Sequence, residues 1–332
     1  MRVVVALGGN ALARRGEPMT AEYLRSNVRS ACIALASLAR DNEMVITHGN
    51  GPQVGLLALQ NLAYQDVAAY PLDILGAETQ GMIGYVVQQE LSNALGGERE
   101  VAGIITTTVV DESDPAFDRP TKLIGPQYSA HDAAEAAAEY RWTIAKDGEA
   151  FRRVVPSPNP VAIVQAPLIR RLLEAGSLAV CVGGGGVPVR ADSQGRHIGV
   201  QAVVDKDLAS AALAADIGAD TLIMLTDGDY VSENWGTPEQ RDIHTASADA
   251  VAAMKFAEGS MQPKIDAAIR VARAGGRTLI GPLDRLDDLL ARKIGTEIVP
   301  TLAEGIRWVE KAPVEKAPAE KAPAEKALAK KA

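Results

Sequence analysis

A chain of 332 residues that is 47% hydrophobic, 23% charged and only 4% aromatic can bury a large soluble α/β core. A formal net charge of −8 and few aromatic side chains exclude a general nucleic-acid surface, which needs basic residues and stacking platforms. No run of about eighteen apolar residues occurs and the N-terminal apolar stretch is too short for a signal peptide, so no membrane span is expected and the chain reads as cytoplasmic.

Residues 2–7 form the continuous apolar run of a buried parallel strand and lead into Gly8-Gly9-Asn10. Over 20–40, Leu24, Val28, Ala31, Leu35 and Leu38 recur on one helical face, with Thr20 as N-cap and Glu22 in the first turn. A second strand at 44–47 meets His48-Gly49-Asn50-Gly51-Pro52, and Pro52 suits the start of a helix reaching about residue 65. A helix over 77–94 and a Thr-rich strand over 101–110 come next. Residues 111–160 interrupt the alternation with repeated prolines around an Ala-rich polar helix, a length that suits an excursion or lid.

Alternation returns with a helix at 168–175, a strand at 178–182, a helix at 207–217 and a strand at 221–225. Helices near 246–256 and 263–274 and strands at 278–280 and 297–299 complete the pattern. The fold class is α/β, with a mostly parallel sheet covered on both faces. In such sheets ligands sit beyond the C-terminal strand ends, and the glycine turns together with Thr226-Asp227-Gly228-Asp229-Tyr230 all fall there. Cys32 and Cys181 read as small buried hydrophobes. Residues 309–332 are a Glu-Lys-Ala-Pro repeat that cannot pack, and a disordered, solvated tail is expected.

The motif inventory narrows the chemistry. No G-x-x-x-x-G-K-[ST] loop, G-x-S-x-G elbow or H-E-x-x-H helix is present, and His48, His131, His197 and His244 lack metal-ligand spacing. What remains are glycine turns and two lysines. Gly183-Gly184-Gly185-Gly186 suggests backbone donors around an anion. Asp205-Lys206-Asp207 opens a helix, and Lys264 falls in the first turn of another, where the dipole disfavours a cation unless an anion lies nearby. Phosphate chemistry is the common reading, against the blander one of tight turns and a solvated charge cluster.

Five segments resemble the carbamate kinases of the amino-acid-kinase superfamily. They are Ala-Leu-Gly-Gly-Asn-Ala-Leu at 6–12, Thr-His-Gly-Asn-Gly-Pro-Gln-Val-Gly at 47–55, Gly-Gly-Gly-Gly-Val-Pro-Val at 183–189, Val-Asp-Lys-Asp-Leu-Ala-Ser at 204–210 and Gly-Ser-Met-Gln-Pro-Lys at 259–264. Further matches lie at 71–73, 79–85, 114–126 and 154–158, so the resemblance runs in order from residue 1 to about 300. It implies a three-layer αβα sandwich with a mainly parallel sheet and a protruding subdomain at about 111–160. The catalytic domain would cover 1–308, with an acceptor half to about 165 and a nucleotide half from about 166.

By the same resemblance the chain would be a homodimer that moves a phosphoryl group between ATP and carbamate with Mg²⁺, making ATP in arginine or ureide catabolism. Gly8, Gly9, Asn10, Gly49, Asn50 and Gly51 would cradle the acceptor and the transferring phosphoryl. Lys206 and Lys264 would neutralise phosphate charge, Asp207 would orient them, and Lys122 would reach in from the subdomain. Gly184, Gly185, Asp227, Tyr230 and Met261 would flank the nucleotide; no protein ligand for Mg²⁺ is assigned. Gly228 and the stretch 146–150 depart from the family pattern. A sister kinase with another small acid, and a nucleotide sensor without catalysis, are the alternatives; the retained lysines and Asp207 speak against the sensor.

Overall fold

The N-terminal half contributes β1 (Arg2–Leu7), α1 (Ala21–Asp41), β2 (Glu43–His48), α2 (Gly51–Ala63), α3 (Leu72–Leu95), β3 (Val101–Gly103) and β4 (Thr107–Val110). There follow β5 (Lys122–Tyr128), α4 (Ala130–Tyr140), β6 (Thr143–Asp147), β7 (Ala150–Val155) and β8 (Pro160–Ile163). The next segment supplies α5 (Ala166–Glu174), β9 (Leu178–Val180), β10 (Val187–Ala191), β11 (His197–Gly199), α6 (Lys206–Ile217) and β12 (Thr221–Thr226). The chain continues through β13 (Val231–Glu233), β14 (Arg241–Ser247), α7 (Ala248–Ala252), α8 (Gln262–Arg273), β15 (Arg277–Pro282), α9 (Leu286–Leu290), β16 (Thr296–Val299) and β17 (Ile306–Trp308). This computed structural model describes residues 1–310 apart from Arg15, Gln65, 258–260 and the Asn10 side chain; the repeat from 311 onward lies outside the described residues.

The main sheet has ten strands in the order β13-β14-β16-β15-β12-β1-β2-β9-β3, with β17 also on β14. From β15 to β3 every pairing is parallel, while β16 joins β15 antiparallel. Strands of this kind must be apolar on both faces. Val3, Val5 and Leu7 pack with α1 and α3; Val4 and Ala6 pack with α5, α6 and α8. The result is three layers. Thr20 caps α1 by accepting from the Tyr23 amide, so the start of that helix is set by its sequence.

Two smaller sheets sit beside the main one. The order β11-β10-β4-β8 forms one, and the antiparallel β5-β7-β6 with α4 forms the other. The latter docks on α2 and α3 through Ile124 and Val155, which join Val54, Leu72 and Leu75 in a small apolar cluster.

Three expectations are corrected. The single strand expected over 101–110 is two strands in two sheets, because Gln80 captures Thr106 between them: its Nε2 donates to the Thr106 carbonyl at 3.0 Å and its Oε1 accepts from the Thr106 amide at 2.9 Å. The helix expected near 246–256 is the strand β14 followed by the short α7, with Ser247 capping the switch. There the alternation of Ile243 and Thr245 is satisfied by pairing with β13, β16 and β17. Helix α3 begins at Leu72, not residue 77, since Pro71 precedes it as N-cap and Gly76 and Gly81 dilute the helical signal.

Candidate active site

Adjacent strands β12, β1, β2 and β9 point the same way, so the turns that follow them emerge side by side. Those turns carry Asp227, Gly8, Gly49 and Gly183. Beside them lies a cavity of about 340 Å³ lined by Gly9, Gly49, Asn50, Gly51, Gln53, Lys122, Arg152, Gly184, Asp205, Lys206, Asp207 and Lys264, among others. Gly51 and Gln53 belong to the first turn of α2, where backbone amides have no intrahelical acceptor and the dipole favours an anion.

The charged groups are wired to one another. Asp205 is the N-cap of α6, its Oδ1 accepting from the amides of Asp207 at 2.9 Å and Leu208 at 3.3 Å. Its Oδ2 receives the Lys122 ammonium, 2.5 Å away, from the first residue of β5. Asp207 divides its carboxylate: Oδ1 accepts from Lys206 at 2.5 Å and Oδ2 from Lys264 at 2.8 Å. The N-terminal lysine of α8 thus has an anion partner, which answers the unfavourable dipole.

Both aspartates are buried, and burial by itself would raise their carboxyl pKa. Lys122 and Lys206 outweigh it at Asp205, and Lys206 and Lys264 outweigh it at Asp207, so both are held below the usual carboxylate range. Burial pulls Lys206 below the ordinary ammonium value, Asp207 notwithstanding. At Lys264 burial also lowers the pKa, but Asp207 more than offsets it and Asp227 adds to the rise. The reading of these charges as a solvated cluster is corrected. Lys206 and Lys264 keep only 13% and 15% of their side-chain surface exposed. Three ammonium groups therefore face two carboxylates, leaving an excess positive charge in a confined space.

The four-glycine turn answers to close packing as well as to the donors its sequence suggests. The Gly185 and Gly186 amides are already spent on the carbonyls of Val182 and Gly183, at 3.1 and 3.0 Å. Close packing is what demands glycine. A Cβ at Gly184 (φ +61°) would fall 2.1 Å from the Asn50 Nδ2, and one at Gly183 would fall 2.4 Å from the His48 ring. Asn50 in turn donates to Thr79 Oγ1 at 2.8 Å, which ties the turn after β2 to α3 and holds the Asn50 side chain against Gly184. His48 is buried and bonded through Nδ1 to the Gly49 carbonyl at 2.9 Å; burial brings its pKa down to about 4, and it remains a neutral packing element.

The structure gathers Gly9, Gly49, Asn50, Gly51, Lys122, Lys206, Asp207 and Lys264 at one cavity, and Gly184 stands there too, against the turn after β2. Asn10 lies in the short 3-10 turn Gly9–Ala11, its side chain outside the described residues. Gly8 faces a second cavity of about 390 Å³, lined with Arg14, Asp227 and Asp284 among others. Gly185 packs over Val204 and its carbonyl accepts from Thr108 Oγ1 at 2.7 Å. Tyr230 and Met261 are half-buried against the two core clusters, and Gly259 and Ser260 are outside the described residues.

Sequence reading missed Asp205, Gln53 and Arg152 as lining residues. The N-cap pattern before α6 could have singled out Asp205; nothing in the local sequence distinguishes Arg152, whose guanidinium is aimed by two bonds to the Gly125 carbonyl.

No protein cage for a divalent ion exists around this cavity among the described residues, since both carboxylates are engaged by lysines. Among the described residues the one group of suitable spacing, His131, Asp132 and Glu135, is exposed on α4. This donor set fits an ion carried by phosphate oxygens and water rather than one held by side chains. Among the described residues no helix is long and apolar enough to cross a membrane.

The amino acid kinase family model matches residues 1–280. A carbamate kinase from Haemophilus influenzae is 51% identical over 309 residues, covering 93% of this chain and 99% of that protein. One from Pyrococcus horikoshii is 44% identical, over 90% of this chain and 99% of its own length. Among solved structures, a carbamate kinase from Giardia lamblia bound to AMP-PNP superposes with a TM-score of 0.80 at 36% identity, covering 90% of this chain and 98% of that one.

Proposed function

The chain belongs to the amino acid kinase family, among its carbamate kinases, and from that premise we propose that the cavity beside Lys206 is where a phosphoryl group passes between carbamoyl phosphate and ADP. The observation that carries this reading is the Asp207 carboxylate, shared between Lys206 and Lys264, with Lys122 opposite on Asp205. In the ATP-forming direction the bond from phosphorus to the carbamoyl carboxyl oxygen breaks as the bond to the ADP terminal phosphate oxygen forms. Carbamate leaves as a carboxylate, so no general acid is required. The demand is for in-line positioning and for positive charge around the equatorial oxygens.

Lys206 and Lys264 supply that charge, and Asp207 fixes where they stand. The acceptor lies against Gly9, Asn50 and Gly51, and the nucleotide extends past Lys264 toward Asp227, Tyr230 and Met261. Magnesium enters with the nucleotide, neutralising the phosphates without a protein cage. Catabolic ATP production in the cytoplasm, in arginine or ureide breakdown, is the role we assign. We assign a homodimer as well, joined through the face where Met19, Tyr23, Met82 and Tyr85 are exposed on or beside α1 and α3.

Purified protein given carbamoyl phosphate, ADP and Mg²⁺ at neutral pH should form ATP, read by luciferase. Absence of ATP there, with ATP binding intact, would leave the chain a nucleotide sensor.

A further inference from the structure

Gln53 is the third residue of α2, lines the cavity and exposes only 7% of its surface. Its side-chain Oε1 is buried and has no hydrogen-bond partner among the described residues. Buried acceptors are nearly always satisfied, and an orphaned one is costly to keep. Apart from Asn50, the other polar side chains of the cavity are mismatched in the opposite sense. Lys122, Lys206 and Lys264 and the first-turn amides are donors, while the Asp205 and Asp207 carboxylates are already taken by lysines and by amides of α6.

The acceptor substrate calls for one group of the kind Gln53 offers. Carbamate is a carboxylate with an amino group where acetate has a methyl. Its oxygens require donors. Its nitrogen lone pair is delocalised into the carboxyl group, so the amino end only donates and requires an acceptor. We propose that Gln53 Oε1 accepts a hydrogen bond from the amino group of the carbamoyl moiety and selects it over a methyl-bearing analogue. The inference rests on the reading that the acceptor binds beside Gly49 and Gly51. A methyl group in the same place would keep Oε1 buried and unpaired, which is how a hydrogen-bonding site rejects an analogue that lacks the donor.

The test compares carbamoyl phosphate with acetyl phosphate as phosphodonors to ADP, in wild type, Gln53→Met, Gln53→Glu and Lys122→Ala. Gln53→Met keeps the length and removes the acceptor. The wild-type preference in kcat/KM for carbamoyl phosphate should fall by roughly 10-fold or more in Gln53→Met, chiefly through loss on carbamoyl phosphate. Gln53→Glu retains acceptor oxygens and should keep the preference even where its overall rate drops, which covers the case of a poorly folded Met variant. Equal slowing of both donors by Gln53→Met, or no change in either, with Lys122→Ala still impaired, overturns the role of Gln53 alone. If Lys122→Ala and Gln53→Met both leave carbamoyl phosphate kinetics untouched, the placement of the acceptor is wrong as well.

Discussion

The sheet body and the β5-α4-β6-β7 subdomain are held together by different means. In the body, strands such as β1 and β2 are buried along nearly their whole length between two helical layers. Dense burial of this kind fixes side-chain positions to within a narrow range. The subdomain has little of it. Its buried apolar side chains are Ile124, Ala133, Ala136, Val154 and Val155, and two of these face α2 and α3 rather than one another. In place of a larger core, the Arg153 guanidinium lies over the Trp142 ring at 4.4 Å, and the Tyr140 ring is tilted against the same indole with centroids 4.9 Å apart. Burial there lowers the Arg153 pKa to about 10.

The contrast teaches a division of labour. Lys206, Asp207 and Lys264 sit on helices of the rigid body, whereas Lys122 is delivered by a thinly packed arm. What registers the arm is a close approach of backbones: a Cβ at Gly55 would lie 1.9 Å from the Gly125 Cα, and Gly125 has φ +75°. Glycine in the middle of α2 costs about 1 kcal/mol of helix propensity, and this contact is the reason it is there.

The arm's side of the comparison is broken by Gly55→Ala. Backbone cannot yield as a flexible side chain would, so the arm must shift by an ångström or more. The kcat/KM for carbamoyl phosphate should fall about 100-fold, chiefly through a higher KM, the effect expected of a misplacement on that scale, while calorimetry shows the body melting within a few degrees of wild type. Full activity in Gly55→Ala would mean that the arm's seat does not position Lys122.

A smaller effect concerns the body alone. His48 has a folded pKa near 4, against about 6.5 for an unperturbed histidine, so the unfolded chain binds the proton first. Stability is therefore complete above about pH 6.5 and declines as pH falls toward 4, at about 1.4 kcal/mol per pH unit. Between pH 6.5 and 5 the free energy of urea unfolding should drop by about 2 kcal/mol, and His48→Gln should flatten that slope. An unchanged slope would show that His48 is not kept neutral by burial.

The body was the legible part of the sequence. Continuous runs such as Val3-Val4-Val5 can only be strands buried on both faces, and the glycine turns after them mark the ligand end. The arm and the sheet edges were not legible. Strands β5, β6 and β7 are short, mixed in polarity and half-exposed, so their pairing supplies what their sequence pattern does not. The lysines announced themselves by type and position. Gln53 did not: only an orphaned buried oxygen distinguishes it, and that is a property of packing.

The division of labour is tested most directly by single-turnover ATP formation from ADP and carbamoyl phosphate in Lys206→Met and Lys122→Met. Asp207 keeps Lys264 in the first variant, so folding should survive. Lys206→Met should slow the chemical step by about 1,000-fold at saturating substrate, within the range for removing a charge that stabilises the transition state. Lys122→Met should act mainly on the concentration of carbamoyl phosphate needed, with a much smaller loss at saturation. The reverse pattern, with the arm's lysine controlling the chemical step and Lys206 dispensable, would contradict the account.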